Sequence, residues 1–161
     1  MIENPFPTRA EVSDVFSAAR QRPDTLMLSG DTAMGKFPIE AVKMMNRIIV
    51  EAETTVNNKH HDFNDIIYTD EGAIKKALIR NGLFLSEQLH ARAMIVFTKS
   101  GALARFASAF RPNFPVYAFT LYPETASYAN ILYGIEPIHL EQWSGNTKVD
   151  LQNAIEILKQ K

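Results

Sequence analysis

The sequence predicts an α/β protein: a parallel sheet covered by helices, preceded by a smaller helix–strand–helix unit. Two observations carry that expectation. From Ala93 onward, short apolar runs alternate with helical patterns over short links. A strand–helix–strand–helix–strand order of this kind builds a parallel sheet with right-handed crossovers. Ahead of it, the stretch "TTVNNKHHDFND", Thr54 to Asp65, is polar and without period, which reads as a linker. The expected organisation is therefore an N-terminal unit 1–55, a linker 56–65 and a C-terminal domain 66–161.

Each element follows from local chemistry. Thr8 opens T-R-A-E, a capping box, and Val12, Val15, Phe16 and Ala19 then recur at helical spacing until Pro23. Thr25 to Leu28 reads as a short apolar strand. From Pro38, the residues Ala41, Val42, Met45, Ile48, Ile49 and Ala52 mark one face of a second helix, ending near Glu53. After the linker, a long amphipathic segment from Thr69 to Leu89 uses Ile74, Ala77, Leu78, Leu85 and Leu89. Gly82 within it costs about 1 kcal/mol against alanine, so a kink or a close contact is expected there.

"AMIVF", Ala93 to Phe97, is a buried strand by its β-branched core. Ala102 to Phe110 is a short helix stopped by Arg111-Pro112. "VYAFT", Val116 to Thr120, is the next strand. Pro123 starts a helix that Gly134 ends. "IEPIHL", Ile135 to Leu140, is the third strand, and Thr147 is expected to cap a last helix with Leu151, Ala154, Ile155 and Leu158 inward.

Composition narrows the function classes. With 17 Lys+Arg against 18 Asp+Glu the net charge is -1, so no global field favours nucleic acid or an anionic membrane. The absence of cysteine removes thiol catalysis, disulfides and thiolate metal sites, and fits a reducing, cytoplasmic setting. No apolar run approaches the ~20 residues of a membrane span, and "MIENPFPTRAEV" lacks the plan of a signal peptide. His60 and His61 are adjacent, with no acidic or histidine partner at ligand spacing, and read as a solvated pair.

"TLMLSGDTAMGKFP", Thr25 to Pro38, has the G-x-x-x-x-G-K spacing of a phosphate-binding loop between an apolar run and a helix. The following position should offer a hydroxyl to Mg²⁺, and it is Phe37. A phenyl ring cannot replace an oxygen ligand on a hard cation. The loop therefore belongs to some other strand–turn–helix site.

Four segments carry a resemblance that answers what that site is. "NPFPTRAEVSDV", "LMLSGDTAMGKFPIEAVKMMNRI", "MIVFTKSG" and "FRPNFPVYAFT" resemble successive landmarks of the pyruvate kinase family, in order and over nearly the whole chain. The resemblance implies that residues 1–55 are a remnant of a (β/α)₈ barrel, comprising its seventh helix, eighth strand and eighth helix. It also implies that residues 66–161 are the family's three-layer C-terminal α/β domain without its last strands. Ser29, Gly30, Asp31 and Thr32 would then lie on the loop after barrel strand eight, at the rim of the active-site face. The family usually has Ser-Gly-Glu-Thr there, and Asp31 is shorter by a methylene. Asp31 and Thr32 either cap the loop or take part in the rim's chemistry.

The family transfers phosphate from phosphoenolpyruvate to ADP, using Mg²⁺ and K⁺ held by earlier barrel strands. With a barrel needing ~250 residues, the resemblance implies that this chain, truncated at both ends, is inactive alone and binds no cofactor or metal of its own. The loop Thr98, Lys99, Ser100 and Gly101 would grip a phosphate of a sugar-phosphate activator, although Thr-Lys-Ser-Gly by itself is also a plain helix cap. Ala102 and Leu103 stand where many relatives place a cation or hydroxyl, so weak binding is expected. Trp143 in "WSGN" is either a ligand lid or a surface loop residue, and Arg105 and Arg111 either reach the anion or stay solvated.

The implied partner is a second copy of the chain, in a homo-oligomer, with no nucleic acid and no membrane. Two alternatives stay open from the residues: a stand-alone sugar-phosphate- or nucleotide-binding α/β module, and a purely structural oligomerisation piece.

Overall fold

The computed structural model describes residues 1–55 and 72–160. The chain divides into two compact units, Met1–Lys59 and His60–Lys161. The expected linker 56–65, with His60 and His61, lies outside the described residues, as does the start of the helix expected from Thr69.

In the first unit, helix α1 spans Arg9–Arg20, a four-residue turn α2 spans Gly30–Ala33, and α3 spans Pro38–Thr54. The capping box forms: the Glu11 N–H donates to Thr8 Oγ1 at 3.3 Å, and the Thr8 N–H donates to Glu11 Oε2 at 2.6 Å. Pro38 sits in the first turn of α3, where its missing N–H leaves no gap in the helix ladder. Helices α1 and α3 pack together around small buried residues, Ala19, Ala41 and Ala52.

The expected strand Thr25–Leu28 is not a strand. No ladder partner flanks it among the described residues, and Met27 is exposed. A strand exists through its neighbours' hydrogen bonds, so an apolar run without them stays irregular. The turn α2, by contrast, forms where only a loop is expected. The Ser29 carbonyl gathers it, accepting from the Thr32 and Ala33 amides at 3.2 and 2.9 Å and from Thr32 Oγ1 at 3.2 Å.

The second unit consists of α4 (Ala73–Gln88), β1 (Met94–Phe97), α5 (Ala102–Ala109), β2 (Val116–Thr120), α6 (Pro123–Ala129), β3 (Ile135–His139) and α7 (Thr147–Lys159). The three strands are parallel in the order β1–β2–β3, with Val96 beside Ala118 and Ala118 beside Pro137. Successive residues of a strand point to opposite faces. Ala118 and Phe119 are both fully buried, so both faces of β2 are covered. Ile79 and Leu83 of α4, Val96, Val116 and Ile135 form the core with Ala104, Ala107 and Ala129, whose small side chains let α5 and α6 lie close.

Gly82 marks a close contact rather than a kink. A Cβ there would stand 2.9 Å from the end of the Met94 side chain. Helix α6 stops at Ala129, short of Gly134, which takes φ +68° immediately before β3. The last helix is capped by Asn146, not Thr147, its side chain accepting from the Lys148 and Val149 amides. Ala154 is buried on α7, whereas Leu151 and Ile155 are exposed, so the inward face is narrower than its apolar pattern. Among the described residues, no helix is long and apolar enough to cross a membrane.

Candidate functional site

The C-terminal ends of parallel strands are where open α/β sheets place their ligands, because the strand-to-helix loops converge there. The loop Thr98–Gly101 follows β1 at that end. Thr98 is buried and continues the ladder, its N–H donating to the Phe119 carbonyl at 2.9 Å. Lys99 and Ser100 are exposed. Gly101 is the N-cap of α5 and takes φ +74°, ψ 0°, the left-handed conformation.

A Cβ at Gly101 would also come within 3.4 Å of Thr125 Cγ2. That is an ordinary contact distance, so glycine is favoured there for its left-handed backbone and not for lack of space. The first amides of α5 lie beyond Gly101 with no intrahelical acceptor, as at any helix start. From the first turn of α6, Thr125 Oγ1 donates to the Lys99 carbonyl at 3.0 Å and ties that helix to the site.

Between β3 and α7, Trp143 turns back toward β1. Its ring meets Phe97 edge-on, with centroids 6.3 Å apart, and Phe97 stacks on Phe119 at 5.6 Å. The indole Nε1 is buried and has no hydrogen-bond partner among the described residues. Buried N–H groups are rarely left in that state. The loop itself is well anchored: the Ser144 N–H donates to Asp150 Oδ1 at 2.8 Å, and Ser144 Oγ accepts from the Asn146 N–H at 3.1 Å. Thus Trp143 is not a free surface residue. Arg105 is exposed, while the Arg111 guanidinium lies over the Tyr133 ring and donates to the Ser108 carbonyl.

In the first unit, Ser29 caps α2 and Gly30, Asp31 and Thr32 make up its turn. This loop is no phosphate cradle. Lys36, at the lysine position of the motif, forms an ion pair with Glu3, and its N–H donates to the Ile2 carbonyl at 2.9 Å. Asp31 is also engaged, its Oδ1 lying 2.6 Å from the Met1 ammonium. That ammonium reaches Glu11 Oε1 at 2.5 Å as well. The hydrogen bonds to Asp31 and then Glu11 raise the ammonium's pKa. The same ammonium, followed by the N–H and hydroxyl of Thr8, draws Glu11 down from its ordinary 4.5 to about 2.

Comparison with known proteins settles the lineage. Residues 76–161 match the family model of the pyruvate kinase alpha/beta domain, more than half of the chain. This chain belongs to the pyruvate kinase family. Residues 1–42, within the first unit, match the model of the pyruvate kinase barrel domain. Chloroplastic pyruvate kinase isozyme A of Ricinus communis is 34% identical over 99% of this chain and 28% of its own length. The pyruvate kinase of Leishmania mexicana is 37% identical over 88% of this chain and 28% of its own. A crystal structure of a pyruvate kinase from Cryptosporidium parvum superposes with a TM-score of 0.86 at 30% identity, covering 99% of this chain and 32% of that one. The chain thus spans about a third or less of the length of these pyruvate kinases.

Among the described residues, no group of three or more His, Cys, Asp or Glu side chains is arranged to hold a metal ion.

Proposed function

We propose that this chain is the regulatory and assembly portion of a pyruvate kinase, and that Thr98–Gly101 binds a phosphate group of an effector. The observation that supports this reading most is the pairing of two features at one end of the sheet. One is the α5 start, with Gly101 left-handed and Lys99 and Ser100 exposed. The other is the buried indole N–H of Trp143, without a hydrogen-bond partner among the described residues, in a loop that packs onto Phe97, the residue before Thr98. A phosphate would take amide hydrogen bonds and the positive end of the helix dipole. The Lys99 ammonium and Ser100 hydroxyl would add a charge and a donor, and the Trp143 N–H, which has no partner among the described residues, would gain an acceptor.

Ala102 and Leu103 supply neither charge nor hydroxyl, so affinity is expected on the order of millimolar, or ~4 kcal/mol. Titration with inorganic phosphate and with sugar phosphates, followed by amide NMR, tests the site. The largest shifts should fall on Lys99–Leu103 and the Trp143 indole, and Lys99→Ala should weaken the binding. Shifts centred elsewhere would reject it.

For the parent enzyme, the reaction is phosphoryl transfer from phosphoenolpyruvate to ADP with Mg²⁺ and K⁺, and Ser29, Gly30, Asp31 and Thr32 would lie at its active-site rim. The 161-residue chain alone offers a rim and no enclosure. A coupled assay with saturating phosphoenolpyruvate, ADP, Mg²⁺ and K⁺ should give no turnover.

The chain's partner on this reading is another copy of itself, and its setting is cytoplasmic. Met27, Met34, Ile39 and Val42 expose apolar surface on the first unit, and the segment Thr25–Leu28 has no ladder partner among the described residues. Exposed apolar patches favour association. Sedimentation should show the full chain as a dimer or larger, and a version starting near Asp65 as smaller in assembly state. Monomers in both cases, at tens of micromolar, would count against it.

A further inference from the structure

Helix α4 carries two apolar faces, and its own unit uses one of them. Ile79 and Leu83 are buried in the core. Ile74, Leu78, Leu85 and Leu89, which give the segment its apolar period in the sequence, are instead 76%, 67%, 56% and 69% exposed. At roughly 100° of turn per residue, these four and Asn81 fall in one stripe about 80° wide, on the side of the helix away from Ile79 and Leu83. The stripe runs roughly 22 Å along the helix. It holds no charged residue: Lys75, Lys76, Arg80 and Glu87 lie off it, and Lys76 sits over the Phe106 ring of α5. An exposed apolar band of this length on a helix marks an interaction surface.

We propose that this stripe docks antiparallel on the same stripe of a second copy of the chain, with Asn81 setting the register. The order along the stripe selects that occupant, because it is the same from either end: two apolar residues, Asn81, two apolar residues. A twofold axis beside Asn81 and Gly82 brings Ile74 opposite Leu89 and Leu78 opposite Leu85, in both directions, as a symmetric contact requires. Charge selects the antiparallel sense. Lys75, Lys76 and Arg80 make the first half of α4 basic, and parallel helices would set those halves side by side. Antiparallel helices set each basic half against the other's C-terminal end, where Glu87 and the negative end of the helix dipole lie.

A lone amide in an apolar seam costs stability and fixes register, because any other register buries it against a leucine. Asn81 is exposed, and its Nδ2 donates to the Ala77 carbonyl at 2.8 Å, which holds the side chain on the helix. One N–H and the amide oxygen remain, and beside the twofold axis two copies can exchange them. The proposal rests on the homo-oligomer reading above and adds a surface on the second unit to the one on the first.

The test is sedimentation of the full chain carrying Leu78→Glu or Leu85→Lys, each alone and the two mixed in equal amounts. Both positions are exposed, so the fold of the chain should survive. Each variant alone should fall to about half the wild-type assembled mass, since a charge then faces a leucine at both ends of the contact. The mixture should regain the wild-type mass. In a mixed pair the new carboxylate at position 78 meets the new ammonium at position 85, and the other end keeps its two leucines. Recovery of this kind is specific to the antiparallel register, because parallel helices would never bring the two charges together. Wild-type assembly retained in both single variants would overturn the proposal while leaving self-association to another surface. Dissociation without recovery in the mixture would overturn it as well. A monomeric wild-type chain would remove both this proposal and the homo-oligomer reading beneath it.

Discussion

Phe119→Ala is expected to destabilise the second unit by about 3–5 kcal/mol, the range for removing a large aromatic side chain from a well-packed core. Phe119 is fully buried on the central strand, beside Phe97 of β1 and Ile138 of β3 in the sheet register. The cavity it leaves cannot collapse easily, because its position is fixed by paired backbone on each side. Whole domains are stable by only about 5–15 kcal/mol, so the variant should be close to unfolding. Trp143, the only tryptophan, reports directly, since its ring leans on Phe97 and Phe97 stacks on Phe119. Urea unfolding followed by Trp143 fluorescence should show a large fall in the midpoint. A change under about 0.5 kcal/mol, typical of surface positions, would contradict the packing described.

Gly35→Ala should disrupt the first unit in a different way. A Cβ at Gly35 would lie 2.3 Å from the Asp31 carbonyl oxygen and 3.0 Å from its carbonyl carbon, both backbone atoms. No rotamer change relieves such an overlap, so the turn α2 must open. Overpacking of this kind costs roughly 1–3 kcal/mol, occasionally more. Because the Gly35 amide donates to the Gly30 carbonyl, the displacement should carry Asp31 with it and weaken its pair with the Met1 ammonium. Gly30→Ala is the control, since the nearest atom to its new methyl would be the Ile2 side chain at an ordinary 3.4 Å. Thermal melting and amide spectra should separate the two variants clearly. Equal behaviour would mean that the turn is looser than these distances imply.

The parts of the fold legible in the sequence are those fixed by neighbours in the chain. Val116–Thr120 is a strand because a β-branched and aromatic run is bounded by Pro115 and Pro123, and α5 stops where Arg111 and Pro112 make continuation costly. Thr8 and Glu11 form their box three residues apart, as the motif requires. The misreadings have the opposite cause. Leu26, Met27 and Leu28 look like a strand, but pairing partners make a strand, and those are not local. Thr147 and Asn146 are both competent caps, and only the backbone decides between them.

At the candidate site, the placement of Thr98–Gly101 between a strand and a helix is visible in the spacing. The hydroxyl of Thr125 on the Lys99 carbonyl, 26 residues away, is not. Nor is the return of Trp143 to Phe97, which joins loops that follow different strands. A single tryptophan in a polar loop carries no periodic signal, and its buried N–H is apparent only in three dimensions. Asp31 likewise has its ammonium partner through folding, not through sequence spacing.

Pro137 gives the sheet a direction of growth. Backbone groups of alternate residues in a strand face opposite sides, and in β3 the Leu140 amide donates to β2 while the Gly134 carbonyl accepts from it. Even-numbered residues of β3 therefore face inward, and the nitrogen of Pro137 faces the outer edge. A proline there offers no hydrogen to an incoming strand, which blunts that margin against further pairing. On the opposite margin, Met94 and Thr98 donate inward, so the amides of Ile95 and Phe97 face out with their hydrogens intact. A fourth strand, whether from the same polypeptide or another molecule, would be admitted beside β1 and turned away from β3. One ring closure in one side chain thus makes the sheet extensible at a single margin, the one next to Thr98–Gly101.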